Sequence, residues 1–492
     1  MKNLILVYPK KGLIGSVLNG DISLAMLYLS GAARKICDSI QIFDFNAPVG
    51  MGKTNSDFLG LLDHMLGNIN PASTLVIGIN VLYSALFPTV RSLCKEIKER
   101  SKNIKTIVGG IHPTLFPKEI IDNCEEIDAV GIGECDESFV HLLRYFYGEH
   151  DANSLDGVCL RLNGQTVIFP KKNYIENLDS LPCPGYEFIN FSDYETNTDN
   201  WWSPDGFRIK GIPMSVLSSR SCPNKCNFCA LRLSMGEKIR YRTPEAFFEE
   251  IKLLYETYGI NYYKIEDDNF TLNRQRASRF CELIIESGMS VYFNLRNGLF
   301  IRSLDKELVL LMRRAGFIMT ALAVESGSAY IREKVIGKKI SNTQIINAFE
   351  WCKEAGVLST MFLIIGFPEE TIESLEDTLR IINDVQCDKV ALSVLKPLPG
   401  TALFEQCVKD NLLIGDYKID DMWNGEFENT LTNISFIQQY KNEIQEIDFA
   451  IKPYEVSLDV LYEYYRLIQE KIRIKNLKWT ERVRANHKDI FV

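Results

Sequence analysis

Cys222, Cys226 and Cys229 lie within eight residues, in the run SCPNKCNFC, at a C-x3-C-x2-C spacing. Three thiolates on one short loop can each take one iron of a cubane [4Fe-4S] cluster. The fourth iron is then left without a protein ligand. A cluster that only carried electrons would use four thiolates, so the gap implies a small-molecule ligand at that iron. Phe228 directly precedes the last cysteine and is placed to shield such a cluster from solvent. A structural zinc site is the alternative chemistry, since zinc also takes three or four Cys and His ligands. No CxxC or HxxxH partner nearby completes one.

The remaining ten of the 13 cysteines are scattered irregularly, which suits buried thiols in a reducing cytoplasm better than a disulfide framework or a second cluster. At 492 residues the chain has room for about three domains. A formal net charge of -9 disfavours general nucleic-acid binding. The N-terminal MKNLILVYPKKG reads as a strand and a lysine-bearing loop rather than a secretory signal. No run of 18 apolar residues is present to span a membrane.

Residues 1–150 read as a doubly wound, Rossmann-like α/β unit. LILVYP, IQIFDFNA, TLVIGIN, KTIVGG and EIDAVGIG are strands, alternating with helices such as SLAMLYLSGAARKI, PTVRSLCKEIKERS and ESFVHLLRYFYG. Continuous β-rich runs bounded by Gly, Asn and Pro fit a parallel sheet buried on both faces. Ligands of such sheets bind beyond the carboxyl ends of the strands. The loops Pro9 to Gly15, Asn46 to Pro48, Asn80 to Ala85, Gly109 to Thr114 and Gly131 to Glu134 are therefore the candidate ligand-binding loops. Residues 151–205 read as a linker, with a hairpin at DGVCLRLNGQTVIF and a proline-rich, extended ENLDSLPCPGYE. Residues 206–405 alternate strands (PMSVLSS, NYYKIED, VYFNLR, MTALAVE, TMFLIIG, KVALSVL) with amphipathic helices, the pattern of a partial (β/α)6 TIM barrel. Residues 406–492 read as mostly helical and charged, with Trp423 and the tyrosine-rich YEVSLDVLYEYYRL. The closing KIRIKNLKWTERVRANHK sets seven Lys/Arg against one Glu and reads as a solvated basic helix; contact with an acidic substrate or membrane surface is the alternative.

The cysteine loop and the strands that follow it resemble the radical S-adenosylmethionine (SAM) superfamily, in which the open iron chelates the amino and carboxylate groups of SAM. The resemblance implies SAM contacts from Phe228, from Glu266, Asp267 and Asp268 of KIEDDNF for the amino group, and from Glu325 and Ser326 of VESGS for the ribose and methionine end. It places Ile364 and Gly366 of FLIIGFPEE at the adenine, and Arg296 against the SAM carboxylate or the substrate. The first 145 residues or so are similar to the cobalamin-binding domain that precedes many of these enzymes, through GGIHPT and GIGE. That likeness implies cobalamin contacts from Asn80, Leu82, Tyr83, Gly109, Gly110, His112, Gly131, Gly133 and Glu134. Cobalamin mutases place a cobalt-ligating histidine in D-x-H-x-x-G. Here His64 and Gly67 give H-x-x-G with Asp63 one position too close, in a helical segment. A histidine-off cofactor is therefore implied, with Leu82 and Tyr83 facing the lower side of cobalt.

The implied activity is C-methylation: a 5′-deoxyadenosyl radical abstracts hydrogen from an unactivated carbon, and methylcobalamin delivers the methyl group. Other cobalamin-assisted radical chemistry, such as cyclisation, rearrangement or oxidation, is the alternative. A methylthiotransferase is disfavoured because Cys37, Cys94 and Cys124 are too dispersed for its second cluster, and a cofactor sensor would not need the polar strand ends. The implied substrate is a small metabolite, lipid or tetrapyrrole, with access lined by the aromatic stretch from Tyr186 to Trp202, including Trp201. A flavodoxin or ferredoxin is the implied reductant.

Overall fold

The computed structural model describes residues 1–9, 22–47, 55–68, 73–194, 212–414 and 449–476. Most of the loop from Pro9 to Gly15, Pro48, Trp201, Trp202, Trp423 and the basic tail beyond residue 476 fall outside them. The described residues within Met1–Thr196 and Leu231–Gly236 form one compact unit; those within Asn197–Ala230, Glu237–Tyr417 and Thr430–Val492 form a second.

In the first unit the strands are β1 (Lys2–Tyr8), β2 (Ser39–Asp44), β3 (Thr74–Asn80), β4 (Lys105–Gly109), β5 (Ala129–Gly131), β6 (Val158–Leu162) and β7 (Gln165–Phe169). They lie in the order β2-β1-β3-β4-β5-β6-β7. Pairing is parallel through β5 and antiparallel for the β6–β7 hairpin. The order reverses between β1 and β3, which opens a crevice at the carboxyl edge there. One face of the sheet packs Leu4, Leu6, Val76, Ile107 and Ala129 against Phe139, Leu142 and Leu143 of the helix Asp136–Phe146. The segment with His64 is a helix, Asn55–Asn68, as its sequence suggests.

Residues 151–194 do not run as an extended bridge; they wrap onto the first unit. The Gly185 amide donates to Leu27 O at 2.8 Å, and Tyr194 Oη donates to Asp44 Oδ2 at 2.8 Å. A Cβ on Gly31 would meet Cys183 O at 2.4 Å, so only glycine allows this approach. The proline-rich composition of the segment misses these contacts because they are made to residues far away in sequence.

The second unit holds β8 (Pro213–Val216), β9 (Ser219–Arg220), β10 (Arg240–Tyr241), β11 (Tyr262–Ile265), β12 (Tyr292–Leu299), β13 (Phe317–Glu325), β14 (Leu358–Ile365) and β15 (Lys389–Val394). Six of these form a parallel sheet in the order β15-β14-β13-β12-β11-β8, the partial barrel expected from the alternating pattern. Strands β9 and β10 pair separately as a short antiparallel ribbon. Aromatic rings fill the core, with Phe293 stacked on Phe317 at 4.8 Å and on Tyr263 at 5.5 Å. Helices start and stop where side chains satisfy their ends: Ser341 and Gln344 form a capping box on Asn342–Ala355, which closes on Gly356 at φ 70°.

The helix Leu458–Asn476 covers β15, an edge strand of this sheet. Asn476 acts there as a one-residue strand: its Oδ1 accepts from the Val390 amide at 2.9 Å and its Nδ2 donates to Val390 O at 3.0 Å. An edge strand left bare is a template for unwanted pairing, and this amide blocks it. Asn476→Ala is expected to cost ~1–2 kcal/mol, read as a lower urea midpoint for the second unit; an unchanged midpoint would refute the role.

Candidate active site

The cysteine loop leaves the ribbon strand β9 through Ser221, which sits at φ 73°, a left-handed conformation rare outside glycine. Within the loop, Asn224 Nδ2 approaches Cys222 Sγ at 3.4 Å and the Cys229 amide closes a turn on Cys226 O at 3.1 Å. Asn227 O accepts from the Leu403 amide at 3.0 Å, and the Phe228 ring lies edge-on to Phe367 at 6.1 Å. The three thiols are half-buried. Among the described residues no group of three His, Cys, Asp or Glu is arranged around a single metal ion. Three thiolates that each take a separate iron of a cubane have no need to converge, so the donor set fits the cluster.

Burial pushes the Cys226 thiol up to about 11, with the Lys338 ammonium opposing it. Lys338 is the main residue that sequence reasoning missed. Its buried Nζ donates to Glu325 Oε1 at 2.6 Å and to Ala323 O at 3.2 Å. Burial alone would lower the Lys338 pKa, yet Glu325 and the cysteine sulfurs outweigh it and the ammonium is held above the usual lysine range. Glu325, the last residue of β13, sits at φ 70°, and the β13–β14 register shifts just before it. Backbone strain of this kind persists only where the surroundings impose it.

Here the surroundings centre on Arg332, a second residue missed from sequence. Its side chain is fully buried in a π-helical turn, Ile331–Val335. Its guanidinium donates to Ser326 O and Gly327 O at 2.7 Å each, to Ile340 O at 3.0 Å, and to Asn342 Oδ1. Ser326 is thereby fixed beside Glu325, and Gly327 lies against the helix Ile372–Asp384, where a Cβ would meet Asp377 O at 2.3 Å. The signal in sequence was slight: a lysine and an arginine in a charged run after VESGS.

The three adjacent acids after β11 have separate tasks. Glu266 Oε1 accepts from Arg296 Nη2 at 2.6 Å and Ser215 Oγ at 2.9 Å, which brings two of the expected SAM residues together as one pair. The Asp267 carboxylate accepts from the Ser218 amide, Ser218 Oγ and Ser219 Oγ, each at 2.6 Å, with Arg276 3.7 Å away. It holds the strand that leads into the cysteine loop. Asp268 is raised to about 7, chiefly by burial and then by the Asp267 charge, while its own amide and that of Ser221 pull the other way. On β14, Ile364 is half-buried and Gly366 sits at φ 101°, backed by Phe449, whose ring a Cβ would meet at 3.2 Å.

In the first unit the expected cobalamin residues lie at the carboxyl edge of β3, β4 and β5. Asn80 is buried, Leu82 and Tyr83 are half-buried, and the Val81 amide donates to Gly109 O at 2.7 Å. A Cβ on Gly109 would project into open space, whereas Gly110, at φ 120°, lies close to Val81 O. Open backbone at Gly109, on the strand next to the switch-point strand β3, is what a flat ligand requires, so Asn80, Leu82, Tyr83 and Gly109 fit a corrin. His112 is buried, its Nδ1 2.8 Å from Ser84 Oγ and its ring between Phe87 and Phe116. Gly131 packs on Cys135 and Gly133 on Ser234, and Glu134 Oε1 accepts from the Ile175 amide at 2.8 Å.

A loop of three thiols at the open end of a partial barrel, with a second cofactor sheet in the same chain, defines an iron–sulfur enzyme of two cofactor domains. Residues 216–382 match the family described as Radical SAM superfamily, and residues 11–143 that described as B12 binding domain. An uncharacterised methyltransferase of Pyrococcus horikoshii is 30% identical over 342 residues, 69% of this chain and 70% of that protein. The anaerobic magnesium-protoporphyrin IX monomethyl ester cyclase of Cereibacter sphaeroides is 27% identical over 345 residues, 68% of this chain and 54% of that protein. The fold is similar to that of the radical SAM methyltransferase TsrM of Kitasatospora setae, at a TM-score of 0.70 and 13% identity, covering 96% of this chain and 89% of that one. The chain belongs to the radical SAM superfamily, as an enzyme whose barrel follows a B12-binding domain. Its cofactors are a [4Fe-4S] cluster, SAM and cobalamin.

Cys226→Ala is expected to abolish SAM cleavage and the cluster's visible absorbance while cobalamin stays bound; 5′-deoxyadenosine formed at the normal rate would refute the ligand assignment. Glu370, in the FPEE segment, is buried, and its Oε2 has no hydrogen-bond partner among the described residues. Burial pushes its carboxyl up from 4.5 to about 8, so the folded chain holds a proton that the unfolded chain releases. Stability should therefore fall as pH rises through this window. Urea denaturation at about pH 5 and about pH 8 is expected to show that loss, and Glu370→Gln to remove it; equal slopes in both proteins would refute the buried acid.

Proposed function

We propose that the enzyme is a methyltransferase that places a methyl group on an unactivated carbon of a small metabolite, lipid or tetrapyrrole. The observation that carries this reading is the presence, in one chain, of an open three-cysteine loop at the barrel's strand ends and a glycine-lined second cofactor sheet. Hydrogen abstraction accounts for the first and methyl delivery for the second. The Pyrococcus relative, itself named a methyltransferase, supports the reading. When bound, the cluster with SAM supplies a 5′-deoxyadenosyl radical, and cobalamin supplies the methyl group.

The chain's own residues hold and orient. Cys222, Cys226 and Cys229 would hold the cluster through three of its irons, with the fourth open to SAM. The methionine end of SAM is a zwitterion, and Asp268, Glu325, Lys338 and the Glu266–Arg296 pair offer charges of both signs around it. Ser326 stands beside Glu325 for the ribose, and Ile364 and Gly366 offer backbone to the adenine. Phe228 and Phe367 keep water from the cluster side of the loop. Leu82 and Tyr83, just past the end of β3, would face the corrin. Such preorganisation is the protein's share of cofactor chemistry.

Reduction is assigned to a flavodoxin or ferredoxin in the cytoplasm. Among the described residues no helix is long and apolar enough to cross a membrane. A net charge of -9 favours a small molecule over nucleic acid as substrate. The cyclase relative supports a second reading, in which the same radical closes a ring. Reconstituted enzyme given reductant, SAM and candidate small molecules is expected to form S-adenosylhomocysteine and 5′-deoxyadenosine together, with a product heavier by one methylene. Product formed with 5′-deoxyadenosine alone would refute methyl transfer and favour the cyclase reading.

A further inference from the structure

The two glycine loops of the first unit are joined by one hydroxyl. Thr114 lies in the short helical turn Ile111–Leu115 that follows Gly110. Its Oγ1 donates to Gly110 O at 2.7 Å and accepts from the Gly133 amide at 2.9 Å. The two glycines follow different strands, β4 and β5, and hold positive φ, 120° and 70°. Gly110 is in turn set against the end of β3, where a Cβ would fall 2.6 Å from Val81 O and 2.8 Å from Asn80 Oδ1. On its other side the Gly133 loop rests on Ser234 O and on the stem of Lys171, at 2.9 and 3.6 Å from where a Cβ would stand. The ends of β3 and β4 are tied by backbone, through the Val81 amide and Gly109 O. The Thr114 side chain ties the ends of β4 and β5.

We propose that Thr114 is the positioning residue of the cobalamin cradle: its hydroxyl sets the spacing of the Gly109–Gly110 and Gly131–Gly133 loops before the cofactor binds. A hydroxyl donates and accepts at once, which no apolar side chain of the same shape can do. Each bond is individually modest, so losing both loosens the cradle without unfolding the sheet. A loosened cradle must be reordered on binding, and affinity falls by that cost. The inference rests on cobalamin lying over these loops, and the test separates the two claims.

Apo-protein is titrated with hydroxocobalamin and followed by visible absorbance, for wild type, Thr114→Val, Thr114→Ser and Leu82→Glu. Valine keeps the shape and removes the hydroxyl, and is expected to weaken binding roughly tenfold, the equivalent of about one to two hydrogen bonds. Serine keeps the hydroxyl and is expected to bind like wild type. Leu82→Glu puts a charge on the corrin-facing loop and is expected to weaken binding without touching Thr114. Wild-type affinity in Thr114→Val alongside weakened Leu82→Glu overturns the role of Thr114 and leaves the cofactor's placement standing. Wild-type affinity in both overturns the placement, and the proposal with it. A serine variant as weak as valine overturns the hydroxyl argument. Amide hydrogen exchange at Gly133 in apo-protein is expected to quicken in the valine variant only; equal exchange in all proteins also overturns the proposal.

Discussion

A carboxylate buried at the end of a strand must be met by donors, and Asp267 finds three of them on the stretch that leads into the cysteine loop. The rest of the radical site depends on this constraint. Three thiolates on eight residues can hold irons at defined positions only if the loop starts from a fixed point. Asp267 fixes Ser218 and Ser219, and Ser221 follows in a left-handed conformation that turns the chain toward Cys222. Beyond the loop's midpoint, the Leu403 amide and the Phe367 ring fix Asn227 and Phe228. The loop is thus held from β11, from the exit of β14 and from the helix Ala402–Lys409, elements far apart in sequence.

Opposite charges are arranged around this loop in a way that a sealed core would not tolerate. Lys338 is buried with Glu325, and each would be costly there without the other. Arg332 bonds the carbonyls of Ser326 and Gly327, keeping the strained end of β13 in place. The first unit has a parallel arrangement, where positive-φ glycines lie at adjoining strand ends and the Thr114 hydroxyl bonds to two of them. In both units the candidate site residues stand at the carboxyl ends of parallel strands, where ligands of such sheets bind.

Much of this was legible in the chain. The cysteine spacing is a local property and survives any folding detail. Continuous apolar strands such as LILVYP and TLVIGIN announce parallel sheets because burial on both faces demands them, and the glycine pairs mark where backbone must turn or be approached. The helical setting of His64 was equally plain from its pattern. Less legible was how neighbouring residues part company. Glu266, Asp267 and Asp268 are alike in sequence, yet one pairs with Arg296, one grips the strand before the cysteines and one is left to backbone amides, because consecutive residues at a strand end point in different directions.

The order of residues along the chain lays out the available chemistry: three thiolates, a row of acids, two glycine loops and the strands to carry them. The partnerships arise only on folding. Lys338 meets Glu325 across 13 residues, Asn476 completes an edge strand 86 residues before it, and the segment 151–194 folds back onto the first unit. None of these follows from local periodicity, since each contact depends on where two distant pieces of backbone come to rest. Buried charges and open hydrogen-bonding edges have to be satisfied, but only the folded chain determines by which residue.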